Sequence, residues 1–275
     1  MVKFIDLAPA IGSEVGESRD VLLGGGKGGE LRALLEERGV LVIRDAHFDD
    51  AEQVAFARSL GEVRLGSVKA EGAGGVLVVS FDEKENPAYS KYFGGTFYWH
   101  MDGTYDEIPP LATVLIPQAL SSQGGQTQFA NTYAAFADLP EAEQQHLESL
   151  RVVHTVDASH RPYNPRPDAE TQAWWDTFPV RVHPLVWTHR SGRKSLVLGA
   201  SCDVVVGMSR SESDALLQRL TEWTTQPRYV YSHDWRLGDA VVWDNTGTMH
   251  RVLRYDPGSG RKMHRVTIEG EELLA

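Results

Sequence analysis

Short apolar runs, each closed by a turn signal, recur along the chain and limit what it can fold into. "GGVLVVSFD", "ATVLIPQAL" and "GGQTQFANT" occur in the first half. "VRVHPLVWTH", "KSLVLG", "RYVYSHDW", "DAVVWDNTGTMHRV" and "MHRVTIEG" follow in the second. Runs of this length, rich in Val, Ile, Thr and aromatics, read as strands. "GGVLVVSFD" is expected as a buried strand, and "ATVLIPQAL" as one broken by Pro117. Helical spacing is confined to a few places. Leu31, Leu34 and Leu35 mark a helix that gives way after Gly39 to a strand, Val40 to Ile43. "DDAEQVAFARSLGEV" reads as a second helix, capped by Asp49 or Asp50 and ended by Gly61. "TYAAFADLPEAEQQHLESL" holds a short helix or two. "SRSESDALLQRLTEWTTQ" is an amphipathic helix, with Ser211 or Ser213 expected as its cap. The pattern predicts a mainly β fold with flanking helices, built on a double-stranded β-helix (jelly roll) core. Repeats and linkers are absent, so residues 1–275 read as a single domain. Residues 157–179, rich in Pro, Asp and aromatics, show no period. They are expected to form a long inserted loop with a lid-like role and a helical turn near Trp174.

Composition narrows the function. A formal net charge of -11 argues against nucleic acid as a partner. The single cysteine, Cys202, allows no intramolecular disulfide and suits a reducing compartment. No stretch reaches the ~20 apolar residues of a membrane span, and the N-terminus lacks a basic region followed by an apolar one. These features lead to the expectation of a soluble, cytoplasmic protein with no membrane partner.

"WHMDGTY" places His100 and Asp102 two residues apart, on one face of an extended chain. Alone, an H-x-D pair is weak evidence. "AVVWDNTGTMHRV" adds His250 at the start of a strand far along the chain. Two histidines and one carboxylate on a β scaffold match the facial triad of non-haem Fe(II) oxygenases, which leaves metal positions open. In "GRKMHRVTI", Arg261, Met263 and Arg265 share one strand parity and point together. A buried arginine is best matched by a bidentate carboxylate. Exposed arginines on an edge strand are the alternative.

These residues lie in motifs that resemble the TauD/TfdA family of Fe(II)/2-oxoglutarate-dependent dioxygenases. "GVLVIRDAHFDDAEQVAFARSLGEV" is similar to its N-terminal helix-strand-helix, and "WHMDGTYDEIPPLATVL" to its first metal motif. "SSQGGQTQFAN" is similar to its co-substrate turn. "HPLVWTHRSGRKSLVLG" and "WDNTGTMHRV…GRKMHRVTIEG" resemble its C-terminal signature. The resemblance covers nearly the whole chain. It implies His100, Asp102 and His250 as iron ligands, with Fe(II), 2-oxoglutarate and O2 required. It implies Thr127 and Arg261 as partners of the distal carboxylate of 2-oxoglutarate, and Arg265 on the substrate side. The implied reaction oxidises a C–H bond of a small, anionic organic molecule, with cleavage of a C–O, C–N or C–S bond where the carbon bears a heteroatom. Succinate and CO2 are released. The family also implies a homo-oligomer, dimer or tetramer. Retention of Asp102 favours hydroxylation over halogenation.

One departure bears on the substrate. The taurine enzymes hold the sulfonate with a histidine ahead of the metal motif. The corresponding "GEVRLGSVKAEGAGG" has none, and Thr96 stands where an asparagine is expected. Taurine is therefore not the expected substrate. Lys69 or Arg64 is a candidate anion holder, against the plainer reading of both as surface charges. Tyr92, Phe93, Phe97 and Tyr98 are candidates for lining the pocket or packing the core. The rival chemistries are desaturation, cyclisation or epimerisation at the same iron. A non-catalytic metal-binding jelly roll would need neither Thr127 nor Arg261.

Overall fold

The computed structural model describes residues 1–65, 71–72, 74–86 and 93–275. Its largest sheet has eight strands. In spatial order they are Phe4–Asp6, Ser13–Val15, Val40–Ile43, Ala240–Asp244, Ala112–Ala119, Lys262–Ile268, Val76–Val79 and Glu71–Gly72. A three-stranded sheet, Val230–His233, Thr127–Asn131 and Thr248–Val252, supplies the facing wall. Two smaller sheets are also found among the described residues: Cys202–Val205, Arg151–His154 and Arg181–Pro184 form one, Val186–Thr188 and Lys194–Leu196 the other. The architecture is the expected jelly roll with flanking helices.

Alternation along the strands builds the layers. Leu115, Val241, Trp243 and Met263 face inward and meet Phe129 of the opposite wall. The neighbouring Val114, Ile116, Val242 and Val266 face the other way. There they bury Leu31 and Leu35 of helix Gly28–Arg38, and Phe56 and Leu60 of helix Asp50–Leu60. A shift of one residue in any of these strands would exchange the two sets, so the pattern fixes the register. Asp49 caps the second helix with a capping box to Glu52, and Gly61 closes it.

Four expectations change. Ala112–Ala119 runs through Pro117 without a break. Pro117 lies opposite Met263, beside a register shift at Lys262, where the ladder tolerates a residue with no N–H. Val76–Val79 is only partly buried, because it lies near the sheet edge. The amphipathic helix Arg210–Thr224 is capped by Ser209, not Ser211 or Ser213. Ser213 is buried and accepts from the Val205 N–H through its hydroxyl. Residues 157–179 carry more helix than the one turn expected near Trp174. They contain most of helix Val156–His160 and all of Ala169–Trp175, each started by a side-chain cap, Thr155 and Asp168. Helices of one or two turns are too short to show a 3.6-residue period.

Candidate metal centre

His100 and His250 are brought together by a two-bond bridge. The His100 N–H donates to the His250 carbonyl at 3.0 Å, and the His250 N–H donates back at 2.8 Å. The pair lies outside the regular strands on the His100 side, so "WHMDGTY" is not an extended strand as expected. It is one bridged residue leading into a turn. The turn swings Asp102 back beneath both imidazoles. Nε2 of His100 lies 3.9 Å from Asp102 Oδ1, and Nε2 of His250 lies 3.9 Å from Asp102 Oδ2. One ligand atom from each residue falls within 4.8 Å of the others.

The surroundings prepare these atoms as ligands. His100 Nδ1 faces the Tyr98 carbonyl at 2.8 Å. A proton held there leaves the Nε2 lone pair directed at the site. Burial lowers the pKa of both imidazoles, so each is the neutral base a metal requires. Burial would raise the Asp102 carboxyl, but the Arg265 guanidinium, charged and hydrogen-bonded to it, holds it below the usual carboxylate range. Arg265 Nη2 donates to Asp102 Oδ2 at 2.7 Å. The His250 ring packs against Trp243 and Phe129, with centroids 4.8 and 6.2 Å away. Two imidazole nitrogens and one carboxylate, converging with neutral rings and an ionised acid, fit Fe(II).

The pocket beside this cluster is lined by Val79, Leu115, Val252 and Met263 on its apolar walls, and by Thr127, Arg261 and Arg265 among its polar groups. Arg261 is only 4% exposed. No carboxylate faces it among the described residues; its Nε has no hydrogen-bond partner, and its guanidinium lies 4.9 Å over the Tyr255 ring. A buried cation without a counter-ion is costly unless an anion arrives. Thr127 is buried beside it in the same pocket. The expected parity holds: Arg261, Met263 and Arg265 line one cavity.

Other expected residues fall elsewhere. Arg64 is engaged by Asp106 at 3.0 Å and Glu269 at 2.9 Å, so its charge is already matched. Lys69, Tyr92 and the Phe93 side chain lie outside the described residues. Phe97 stacks on Phe81 and meets Tyr255 edge-on, while Tyr98 stacks on Tyr163. Thr96 lines the pocket. The sequence reading missed Gly199. Its φ is +126°, and a Cβ there would come within 2.7 Å of His100 Cα, so only glycine lets the two segments pass. It also missed Trp235, whose indole reaches Thr127. A second cavity, lined by Arg32, Trp187, His189 and Asp244 among others, contains none of the three candidate ligands.

Comparison with known proteins agrees with this geometry. Residues 3–267 match the model of the "Taurine catabolism dioxygenase TauD, TfdA family". An alpha-ketoglutarate-dependent 2,4-dichlorophenoxyacetate dioxygenase of Burkholderia sp. (strain RASC) is 34% identical over 250 residues, covering 86% of this chain and 83% of that protein. An alkylsulfatase of Acinetobacter baylyi (strain ATCC 33305 / BD413 / ADP1) is 30% identical, covering 87% of this chain and 75% of the relative. The crystal structure of AAD-2 in complex with Mn(II) and N-oxalylglycine superposes with a TM-score of 0.82, at 29% identity and full coverage of both chains.

Proposed function

The chain belongs to the TauD/TfdA family and is a non-haem Fe(II)- and 2-oxoglutarate-dependent dioxygenase, and from that premise we propose that His100, Asp102 and His250 hold its iron. Thr127 and Arg261 hold the distal carboxylate of 2-oxoglutarate, and Arg265 faces the primary substrate. The observation that carries the ligand assignment is the convergence of three ligand atoms within 4.8 Å. Bound Fe(II), with 2-oxoglutarate and O2, supplies the oxidising power that breaks a substrate C–H bond and releases succinate and CO2.

The chain's own groups do the rest. The Tyr98 carbonyl holds the proton at His100 Nδ1, and Arg265 keeps Asp102 ionised. Arg261 offers a charged donor and Thr127 a hydroxyl to the co-substrate's far end. Val79, Leu115, Val252 and Met263 keep water from the reacting carbon. Arg265 retains a buried Nε with no hydrogen-bond partner while its Nη2 braces Asp102. One guanidinium can therefore serve the metal ligand and a substrate anion together.

The substrate is a small organic anion bearing a carboxylate, sulfonate or sulfate, and it is not taurine. Support comes from relatives described as acting on 2,4-dichlorophenoxyacetate, on (S)-phenoxypropionate and on sulfate esters. The pentalenolactone F synthases among the relatives keep a biosynthetic oxidation as the second reading. The whole chain works as a single dioxygenase domain, with residues 157–179 as a cover over the metal loop. Tyr98 donates to the Pro162 carbonyl at 3.2 Å, and Tyr105 to Ser159 Oγ at 3.0 Å, which supports that role. No helix among the described residues is long and apolar enough to cross a membrane. A cytoplasmic homo-oligomer, dimer or tetramer, without nucleic-acid or membrane partners, accords with the family and the charge.

The test is anaerobic binding of Fe(II) and 2-oxoglutarate, then a screen for succinate release with aryloxyalkanoates, alkyl sulfates, taurine, and the neutral amides and cationic amines of matching size. Stimulation by an anionic substrate is expected. Efficient turnover of a neutral or cationic compound, with none for anions, overturns the substrate reading.

A further inference from the structure

Trp235 does not line the pocket; it packs behind it, against the inner apolar cluster that includes Leu115, Phe129 and Met263. Its indole Nε1–H donates to Thr127 Oγ1 at 3.0 Å. We infer that Trp235 is a positioning residue, which fixes the Thr127 hydroxyl as a hydrogen-bond donor and so tunes the site for a co-substrate with an anionic far end. This rests on the proposed role of Thr127.

An indole N–H only donates, whereas a hydroxyl has one hydrogen and two lone pairs. Once Trp235 occupies a lone pair of Thr127, the single hydrogen remains to be placed. Thr127 is 1% exposed, so solvent offers it little. Its side chain lines the pocket beside Arg261, whose Nε also lacks a partner. Two donors then face the same space, and a carboxylate accepts from both. An uncharged alkyl end would leave both unpaired in a buried setting, which is the costly case.

The indole is itself held. Its ring meets His233 edge-on, centroids 4.6 Å apart and planes at 84°. His233 is fully buried on the neighbouring strand, directly opposite Thr127. Its Nε2 lies 3.1 Å from Asp239 Oδ2, and its Nδ1 lies 3.0 Å from the Tyr231 hydroxyl. Asp239 Oδ2 also accepts from Arg44 Nη1 at 2.6 Å and from the Arg236 N–H at 2.8 Å. The indole therefore stands on a charged, hydrogen-bonded base, and its N–H has little freedom to turn away.

The test uses the metal-loaded, full-length protein. Trp235→Phe keeps an aromatic ring and removes the N–H. Its Kd and KM for 2-oxoglutarate should rise about fivefold, the loss of one hydrogen bond, with kcat at saturation nearly unchanged. Binding of 2-oxopentanoate, which lacks the distal carboxylate, should not change. In a Thr127→Val background the Trp235 substitution should add nothing, because the two act through one bond. Should Trp235→Phe fail to fold, the ¹⁵N-indole resonance of Trp235 in the Zn(II)-loaded wild type carries the test. It should move on addition of 2-oxoglutarate and stay for 2-oxopentanoate. Equal weakening for both oxo acids, or an indole signal indifferent to both, overturns the inference. If Thr127→Val weakens 2-oxoglutarate and Trp235→Phe does not, the inference fails and the reading of Thr127 stands. If Thr127→Val has no effect, both fall.

Discussion

Arg265 and Asp102 are 163 residues apart in the chain, and their side chains meet at 2.7 Å. The same Nη2 lies 3.3 Å from Thr113 Oγ1, and the guanidinium lies 6.0 Å over the Trp243 ring. This places a cation directly behind the carboxylate of the candidate triad. Removing it should raise the Asp102 pKa and loosen its orientation. Arg265→Ala is expected to weaken Fe(II) binding by roughly tenfold, the lower end for loss of a group that orients a ligand. It should also raise the KM for the anionic substrate. Calorimetric metal titration and substrate kinetics separate the two effects. Intact metal affinity with a pure substrate defect would show that the ion pair yields once iron is bound.

The triad itself makes a stricter prediction. Three protein ligands leave no redundancy, so His100→Ala or His250→Ala should abolish Fe(II) binding and turnover. Anaerobic metal titration checks this. An unchanged iron affinity in either variant removes that residue from the site.

Arg261 is expected to dominate co-substrate affinity. Its charge is buried and unmatched by any carboxylate among the described residues, so a distal carboxylate is the partner it lacks. Arg261→Ala should raise the KM for 2-oxoglutarate by an amount equivalent to about 2–5 kcal/mol. Thr127→Val should cost on the order of 1 kcal/mol. If KM were unaltered in Arg261→Ala, Arg254 would be the next candidate. Its guanidinium lies 5.3 Å over the Phe97 ring.

These residues differ in how plainly the sequence announces them. His100, Asp102, His250, Thr127 and Arg261 sit in short motifs whose spacing and neighbours carry chemical meaning. Strand parity alone put Arg261, Met263 and Arg265 in one cavity. The contacts that tune the site could not be read that way. Arg265 to Asp102, Trp235 to Thr127 and Gly199 to His100 each join segments distant in the sequence, and no local period encodes such a meeting. The choice between the two readings of Arg64 stayed open for the same reason, since both partners that match its charge, Asp106 and Glu269, lie far from it in the chain. Within 157–179 the turn near Trp174 was legible and became helix Ala169–Trp175, whereas Val156–His160 was missed because a single turn leaves too few apolar positions to set a period.

That segment gives a further expectation. It packs on the metal loop through Tyr98, Tyr105 and Tyr163, and caps its own short helices. Covers of active sites come from the less stable parts of a fold. Limited proteolysis should cut within 157–179 in the metal-free protein, and more slowly with Fe(II), 2-oxoglutarate and substrate under anaerobic conditions. Equal cleavage in both states would count against a cover.

Asp244 ends the strand that precedes the turn to His250, and it is 4% exposed. Its Oδ1 accepts from the Thr246 N–H and hydroxyl, each at 2.7 Å, while Oδ2 has no partner. Burial outweighs those two bonds and pushes its carboxyl up from 3.8 to about 6. Between about pH 4 and 6 the folded chain therefore keeps a proton that the unfolded chain has released. Stability from this group is full below about pH 4, falls as pH rises towards 6, and stays lower above it. A carboxamide in place of the carboxylate would keep an oxygen for Thr246 without ionising. Asp244→Asn should therefore stabilise the protein at pH 7 by at most about 3 kcal/mol, and the gain should vanish near pH 4. Denaturant unfolding of both proteins across that range measures it. A constant difference at every pH would mean that the unpaired oxygen matters through packing, and that its charge does not.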